Sequence, residues 1–179
     1  MGSSDGKRNR DESDPFLRLE QTHRRLEQRL AELERAADDI ANGIGPRAAL
    51  EDIEAVAHFL SRGAVRHVED EEHTLFPRLA GIRDLEDVVR SLSVEHEEHK
   101  QLESEVLSLV RSWDGEVPNR EDARKLKSMA EKLRGFYLAH IKLEEEELFP
   151  KARRALAPEL IREMGLEMMD RRPDRGKKD

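Results

Sequence analysis

Residues 67–77 read HVEDEEHTLFP and residues 140–150 read HIKLEEEELFP. Both fit H-x-x-x-E-E-x-x-L-F-P, and they begin 73 residues apart. Two further histidines, His23 and His96, are separated by the same 73 residues. The same shift pairs Leu19 with Leu92, Leu33 with Val106 and Leu60 with Leu133. The chain is thus a duplicated unit, and each copy carries an isolated histidine followed by a His-x-x-x-Glu pair.

Around the repeats, apolar residues recur in alternating steps of three and four, the period of a bundle helix. Asp14-Pro15 supplies an N-cap and a first-turn proline. Phe16, Leu19, His23, Leu26, Leu30, Leu33, Ala37 and Ile40 follow along one face until Asn42-Gly43 breaks it. A second stripe runs through Leu50, Ile53, Ala57, Leu60, Ala64, His67 and Glu71, with Pro77 expected to stop it after Phe76. A third runs from Leu85 through Val89, Leu92, His96, His99, Glu103, Val106 and Val110 to Trp113, and Asp114-Gly115 ends it. Asn119, with Asp122 three residues on, caps the fourth. Its inner face collects Leu126, Met129, Leu133, Phe136 or Tyr137, His140 and Glu144, with Pro150 as its expected end. A short amphipathic helix is expected after Pro158.

Each half is a helical hairpin that cannot bury its own apolar stripe. Two of them form an all-α, up-and-down antiparallel four-helix bundle over residues 14–155. Residues 1–13 read as a disordered leader, and residues 156–179 as a short C-terminal helix with a basic tail from Arg171 to Lys178.

Composition narrows the function classes. The 179 residues hold no cysteine, which excludes disulfides, thiolate metal sites and cysteine catalysis. A formal charge of −8 gives no case for nucleic acid as a partner. The chain offers no apolar run of spanning length and no apolar signal core, so a cytoplasmic protein without a membrane partner, monomer or homodimer, is the expectation.

On a helix, residues i and i+4 stand one turn apart on the same face. His67 with Glu71, and His140 with Glu144, therefore both reach the bundle axis, where His23 and His96 join them from the other two helices. Four imidazoles and two carboxylates suit two first-row metal ions with the carboxylates between them. Burying them without a cation would cost on the order of 1–3 kcal/mol per unpaired polar group, and more for a carboxylate.

These residues resemble the hemerythrin-like family, the HHE cation-binding domain, over roughly residues 15–155. The resemblance implies a non-haem di-iron centre, oxo- or hydroxo-bridged, with His23, His67, Glu71, His96, His140 and Glu144 as ligands and Glu71 and Glu144 bridging. Imidazole and carboxylate also suit zinc and manganese, so iron rests on the resemblance alone. Oxygen-carrying members place H-x-x-x-H on the third helix and H-x-x-x-x-D on the fourth. Here His96 and His99 are only three apart, and the fourth helix carries H-x-x-x-E. That arrangement resembles members associated with peroxide or nitric oxide chemistry, or with iron and oxygen sensing. The leading expectation is a redox protein binding dioxygen, peroxide or nitric oxide. The alternatives are an iron or oxygen sensor or store without turnover, and a helical interaction module with a structural metal.

Several residues lie outside the six-member set. The repeat aligns His99 with Leu26, an ordinary core position, so His99 is either a fifth ligand or a polar neighbour of the site, with Glu103 placed to accept its ring proton. Tyr137 aligns with Ala64 and lies three residues before His140; it is either a hydrogen-bond donor or ligand at the centre, or a core aromatic. His58 and His73 are expected to be exposed or structural. Among Glu72, Glu145, Glu146 and Glu147, mostly a solvated run, one is placed to orient a histidine. The LFP tripeptides are expected to close the bundle below the metals.

Overall fold

The computed structural model describes residues 14–171, so the leader expected before Asp14 and nearly all of the basic tail lie outside the described residues. The first helix, α1, spans Pro15–Asn42. The Asp14 carboxylate caps it, accepting from the backbone N–H of Phe16 at 2.9 Å and Leu17 at 3.1 Å. Gly43, at φ 75°, turns the chain out of it. The second, α2, covers 46–79; α3 spans Arg83–Arg111; α4 covers 120–155; and α5 spans Pro158–Asp170. Asn119 caps α4 by accepting from the N–H groups of Glu121 and Asp122, both at 2.9 Å, while its amide donates to the Asp122 carboxylate. No strand occurs among the described residues. No helix among them is long and apolar enough to cross a membrane.

The short connections make successive helices antiparallel neighbours. Helix α1 packs chiefly on α2 and α4, and α3 on α4, whereas α2 and α3 are the most loosely joined of the neighbouring pairs. The core falls into two apolar clusters. One is built on Leu26, Leu30, Leu33, Leu50, Ile53, Val106 and Leu133. The other gathers Phe16, Leu19, Leu75, Leu92, Leu148 and Phe149, and α5 closes it with Met164 and Met168. Between them lies a layer of buried polar side chains: His23, His67, Glu71, His96, His140 and Glu144.

The prolines do not end the helices as expected. A π turn over Glu71–Leu75 precedes Pro77, and α2 continues to Leu79; a π turn over Glu144–Leu148 precedes Pro150, and α4 continues to Ala155. Proline lacks the N–H and collides with the carbonyl four residues back in a regular helix. A turn widened to i→i+5 relieves both problems. Each of these π turns begins at the inward glutamate of its repeat.

A third π turn, Leu60–Ala64, has no counterpart in α4, which is regular over the matching residues 133–137. One extra residue in a turn moves the inward face of the preceding segment by one position. Hence Val56 is buried in α2 and Ala57 only partly so, whereas in α4 Ala130 is buried and Met129 only partly. Of the two aromatic candidates on α4, Tyr137 faces inward at 2% exposure and Phe136 outward at 37%.

Gly63 lies inside this unmatched π turn, where an added Cβ would come within 2.6 Å of the Phe59 ring. Gly135, on the regular stretch of α4, has nothing within 4 Å of such a Cβ. We therefore expect opposite signs for two like substitutions. Gly135→Ala raises the thermal midpoint, because alanine is worth up to about 1 kcal/mol over glycine in a helix. Gly63→Ala lowers it, because overpacking costs roughly 1–3 kcal/mol and exceeds that gain. Thermal unfolding of the two variants beside the parent checks both.

Candidate metal centre

The polar layer is assembled from one residue on α1 (His23), two on α2 (His67, Glu71), one on α3 (His96) and two on α4 (His140, Glu144). The i, i+4 spacing within α2 and α4 brings each histidine beside its own glutamate: His67 Nε2 lies 3.3 Å from Glu71 Oε1, and His140 Nε2 lies 3.5 Å from Glu144 Oε1. Each carboxylate also reaches a lone histidine with its other oxygen. Glu71 Oε2 is 3.3 Å from His96 Nε2, and Glu144 Oε2 is 3.1 Å from His23 Nε2.

Two groups of four result, each compact enough to hold a cation: His23, His67, Glu71 and Glu144 in one, and His96, His140, Glu71 and Glu144 in the other. The two glutamates belong to both groups. A third set, Glu95, His99 and His140, is also compact but shares His140 with the second. All six residues singled out from the repeat thus meet in one layer.

The outer ring nitrogens are held by carboxylates. His23 Nδ1 is 2.8 Å from Glu145, His96 Nδ1 is 2.7 Å from Glu72, and His140 Nδ1 is 2.9 Å from Glu95. Such contacts fix the ring and turn its Nε2 inward. Glu72 and Glu145 are repeat mates, the second glutamate of each Glu-Glu pair, and each orients the lone histidine of the other hairpin. The LFP phenylalanines follow the same crossing rule. Phe76 stacks on His96 and Phe149 on His23, with ring centroids 5.7 Å apart in both cases. The tripeptides therefore floor the site as well as closing the bundle below it.

Glu95 could not be read from the repeat, because its mate is Thr22, whose hydroxyl donates to the Arg18 carbonyl instead. His67 Nδ1 consequently has no hydrogen-bond partner.

His99 is buried with its Nδ1 unpartnered and its ring 4.9 Å from that of His140. Glu103 does not serve it: the Glu103 carboxylate accepts from the Tyr137 hydroxyl, and the Tyr137 ring lies against His99 at 4.6 Å. His58 and His73 are exposed, as are Glu146 and Glu147.

Electrostatics test whether the layer suits a cation. Burial drives His67 and His96 below their ordinary values, which favours the neutral imidazole. Burial, reinforced by the neighbouring Glu144 charge, pushes Glu71 well up. Burial acts on Glu144 in the same sense, but the imidazoles of His140 and His23 outweigh it and hold this carboxylate well down. Two facing buried carboxylates ionise together only with positive charge between them. His23 Nε2, His67 Nε2 and all four oxygens of Glu71 and Glu144 are buried with no hydrogen-bond partner. At roughly 1–3 kcal/mol each, such groups rival the whole stability of a domain, about 5–15 kcal/mol. The inward donors, imidazole nitrogen and carboxylate oxygen, are those that bind divalent first-row metals. The residues present fit a pair of such ions.

The model of the hemerythrin HHE cation-binding domain matches residues 14–152, most of the chain and all of the layer. No curated protein matches the sequence.

Glu103 offers a test of the electrostatics away from the six-residue set. Burial raises its carboxyl to about 7, against the lowering effect of the Tyr137 hydrogen bond. The folded state then keeps a proton that the unfolded chain releases, so this residue's contribution favours folding at low pH and is lost as pH rises from about 4.5 towards 7. Glu103→Gln removes that dependence. Urea midpoints at pH 5 and pH 8, at equal metal content, should shift towards the variant at the higher pH; a parallel response of both proteins would contradict it.

Proposed function

We propose, for a chain that belongs to the hemerythrin HHE cation-binding domain family, that it holds two iron ions and uses them to bind and transform dioxygen, peroxide or nitric oxide. The observation that carries this reading is the sharing of Glu71 and Glu144 by two otherwise separate pairs of histidines. His23 and His67 would hold one ion and His96 and His140 the other, with both carboxylates between them. Iron supplies the exchange of electrons with a small oxygen- or nitrogen-containing molecule, and the protein contributes the rest.

Part of that contribution is access. A groove of about 570 Å³ opens between α2 and α3, where the bundle is loosest. It is lined by Val68, Glu72, Ser93, His96, His99 and Tyr137. A small molecule entering there meets the His96 side of the layer first. The apolar clusters above and below exclude bulk water from the other directions. Glu72, Glu95 and Glu145 hold their imidazoles in one orientation. Tyr137 and Glu103 place an exchangeable proton, carried on a hydrogen bond, at the inner end of the groove.

A second reading, an iron-responsive binding protein without turnover, is favoured by the buried carboxylates themselves. A fold whose polar layer lacks partners without cations gains stability on binding them, by linkage. The two readings separate in one experiment: anaerobic loading with ferrous ion, metal counting, an optical spectrum, then peroxide or nitric oxide. Turnover above that of free iron supports the redox reading. Two bound ions with a large rise in thermal midpoint and no turnover supports the sensor.

Substitutions follow the same geometry. Glu144→Ala and His67→Ala should bring the bound metal below two ions per chain, whereas His99→Leu, which installs the residue of its repeat mate, should leave two. Glu145→Ala should weaken metal binding by about 10–100-fold with the fold intact, as expected for loss of a carboxylate that orients a ligand. Metal analysis after competition with a chelator measures all four.

A further inference from the structure

The first hairpin carries a feature that the second lacks and that the metal layer does not use. Between α1 and α2, on the outside of the bundle, lies a groove of about 670 Å³. Arg25 and Arg29 line it from α1, and His58, Arg62 and Arg66 from α2, while Phe59 and Gly63 lie between the two sides. No acidic side chain lines it. Arg29 gives one nitrogen to Glu32 at 2.8 Å. Among the described residues, Arg25, Arg62 and Arg66 have no carboxylate within 4.0 Å, and the Arg66 Nε donates only to the Arg62 carbonyl. In a chain of formal charge −8, such a cluster of uncompensated arginines costs self-repulsion unless an anion relieves it.

The duplication provides an internal control. By the 73-residue shift, Thr22, Arg25, His58, Arg62 and Arg66 correspond to Glu95, Glu98, Glu131, Gly135 and Ala139. The second hairpin reaches the same fold with acidic or small residues at every one of these positions, so the bundle does not require the arginines. The unmatched π turn Leu60–Ala64 falls within this segment. It places Arg62 inside a widened turn, with His58 before it and Arg66 after it, and Gly63 gives room for the Phe59 ring against the helix. Such single π turns mark functional sites in many helices. Here the turn breaks the internal two-fold only where the basic residues stand.

We infer that the α1–α2 groove is a binding site for a compact polyphosphate-bearing small molecule. Guanidinium groups pair with phosphate oxygens through two parallel N–H donors, and pairs one turn apart on facing helices suit adjacent phosphates. The volume matches small-ligand sites, and Phe59 offers an apolar wall beside the charges. An extended nucleic acid suits the surface less, because the rest of the molecule is acidic and would repel a strand running beyond the groove.

The test is calorimetric titration of the full-length, metal-containing protein at low ionic strength with inorganic pyrophosphate, ATP and orthophosphate, with metal content measured before and after. The comparison is the double variant Arg25→Glu/Arg62→Ala, with Arg124→Glu/Arg154→Ala as a control of equal charge change; neither control residue lines the groove. Circular dichroism confirms that the variants fold. One-to-one binding of pyrophosphate or ATP, weakened about tenfold or more in the groove variant and unchanged in the control, is the expected result. ATP binding tighter than pyrophosphate, with the difference erased by Phe59→Ala, identifies a nucleotide; equal affinities identify the phosphates alone. Absence of binding, equal loss in both double variants, or a preference for a single-stranded oligonucleotide over both small probes overturns the inference.

Discussion

Two carboxylates facing one another in a dry layer are the constraint around which this bundle is arranged. Glu71 and Glu144 are both fully buried, and neither can be charged there alone. Everything around them lowers the cost of keeping them in place. Four imidazoles turn their Nε2 atoms towards the pair, and three of those rings are anchored from behind by glutamates at the bundle's edge. The apolar core is split in two so that the polar layer is sealed above and below. The paired π turns belong to the same arrangement. By starting at Glu71 and Glu144 they let Phe76 and Phe149 swing under the lone histidines while proline occupies the next position without breaking the helix.

Most of this was legible because a metal-binding layer uses residue types that a bundle core otherwise avoids, so His23 and His96 stood out on apolar stripes. The Asp14 and Asn119 caps were readable for a related reason: the hydrogen bonds are local, and the residues that make them are few. What stayed hidden was non-local or phase-dependent. A π turn leaves no composition signal, so its one-residue shift appeared only as Val56 replacing Ala57 inside; on the regular α4, Ala130 rather than Met129 faces inward. Proline is an ambiguous mark once the turn before it can widen. The pairing of Glu103 with Tyr137 rather than His99 depends on where α3 and α4 meet, which no spacing within one helix encodes. Glu95 was invisible to the repeat because it is an exception to it, whereas Glu72 and Glu145, which obey it, could have been matched to their histidines by the same shift.

The exceptions to the two-fold are as instructive as the symmetry. Around the layer, Leu26, Ala64 and Thr22 of the first hairpin are replaced in the second by His99, Tyr137 and Glu95. All three replacements gather near His140 and the groove between α2 and α3. On the first hairpin, departures instead face outward, as the arginines of the α1–α2 groove. A duplicated helical hairpin has thus kept its symmetry where six residues converge and lost it at the two grooves.

These exceptions make the two groups of four chemically unequal. The rings of His96 and His140 are both backed by carboxylates, which increases the basicity of a coordinating imidazole. In the other pair only His23 is backed so; His67 Nδ1 is buried with no hydrogen-bond partner. His96 of the better-backed pair also lines the opening, as do Tyr137 and Glu103. An ion held by His96 and His140 would be the richer in electron density and the easier for a small molecule to reach. One held by His23 and His67 would be enclosed, with weaker donors. Shared carboxylates couple the two. On the proposed reading, the inequality would place entry and proton handling on the α3–α4 side of the layer and leave the α1–α2 side to hold a second ion.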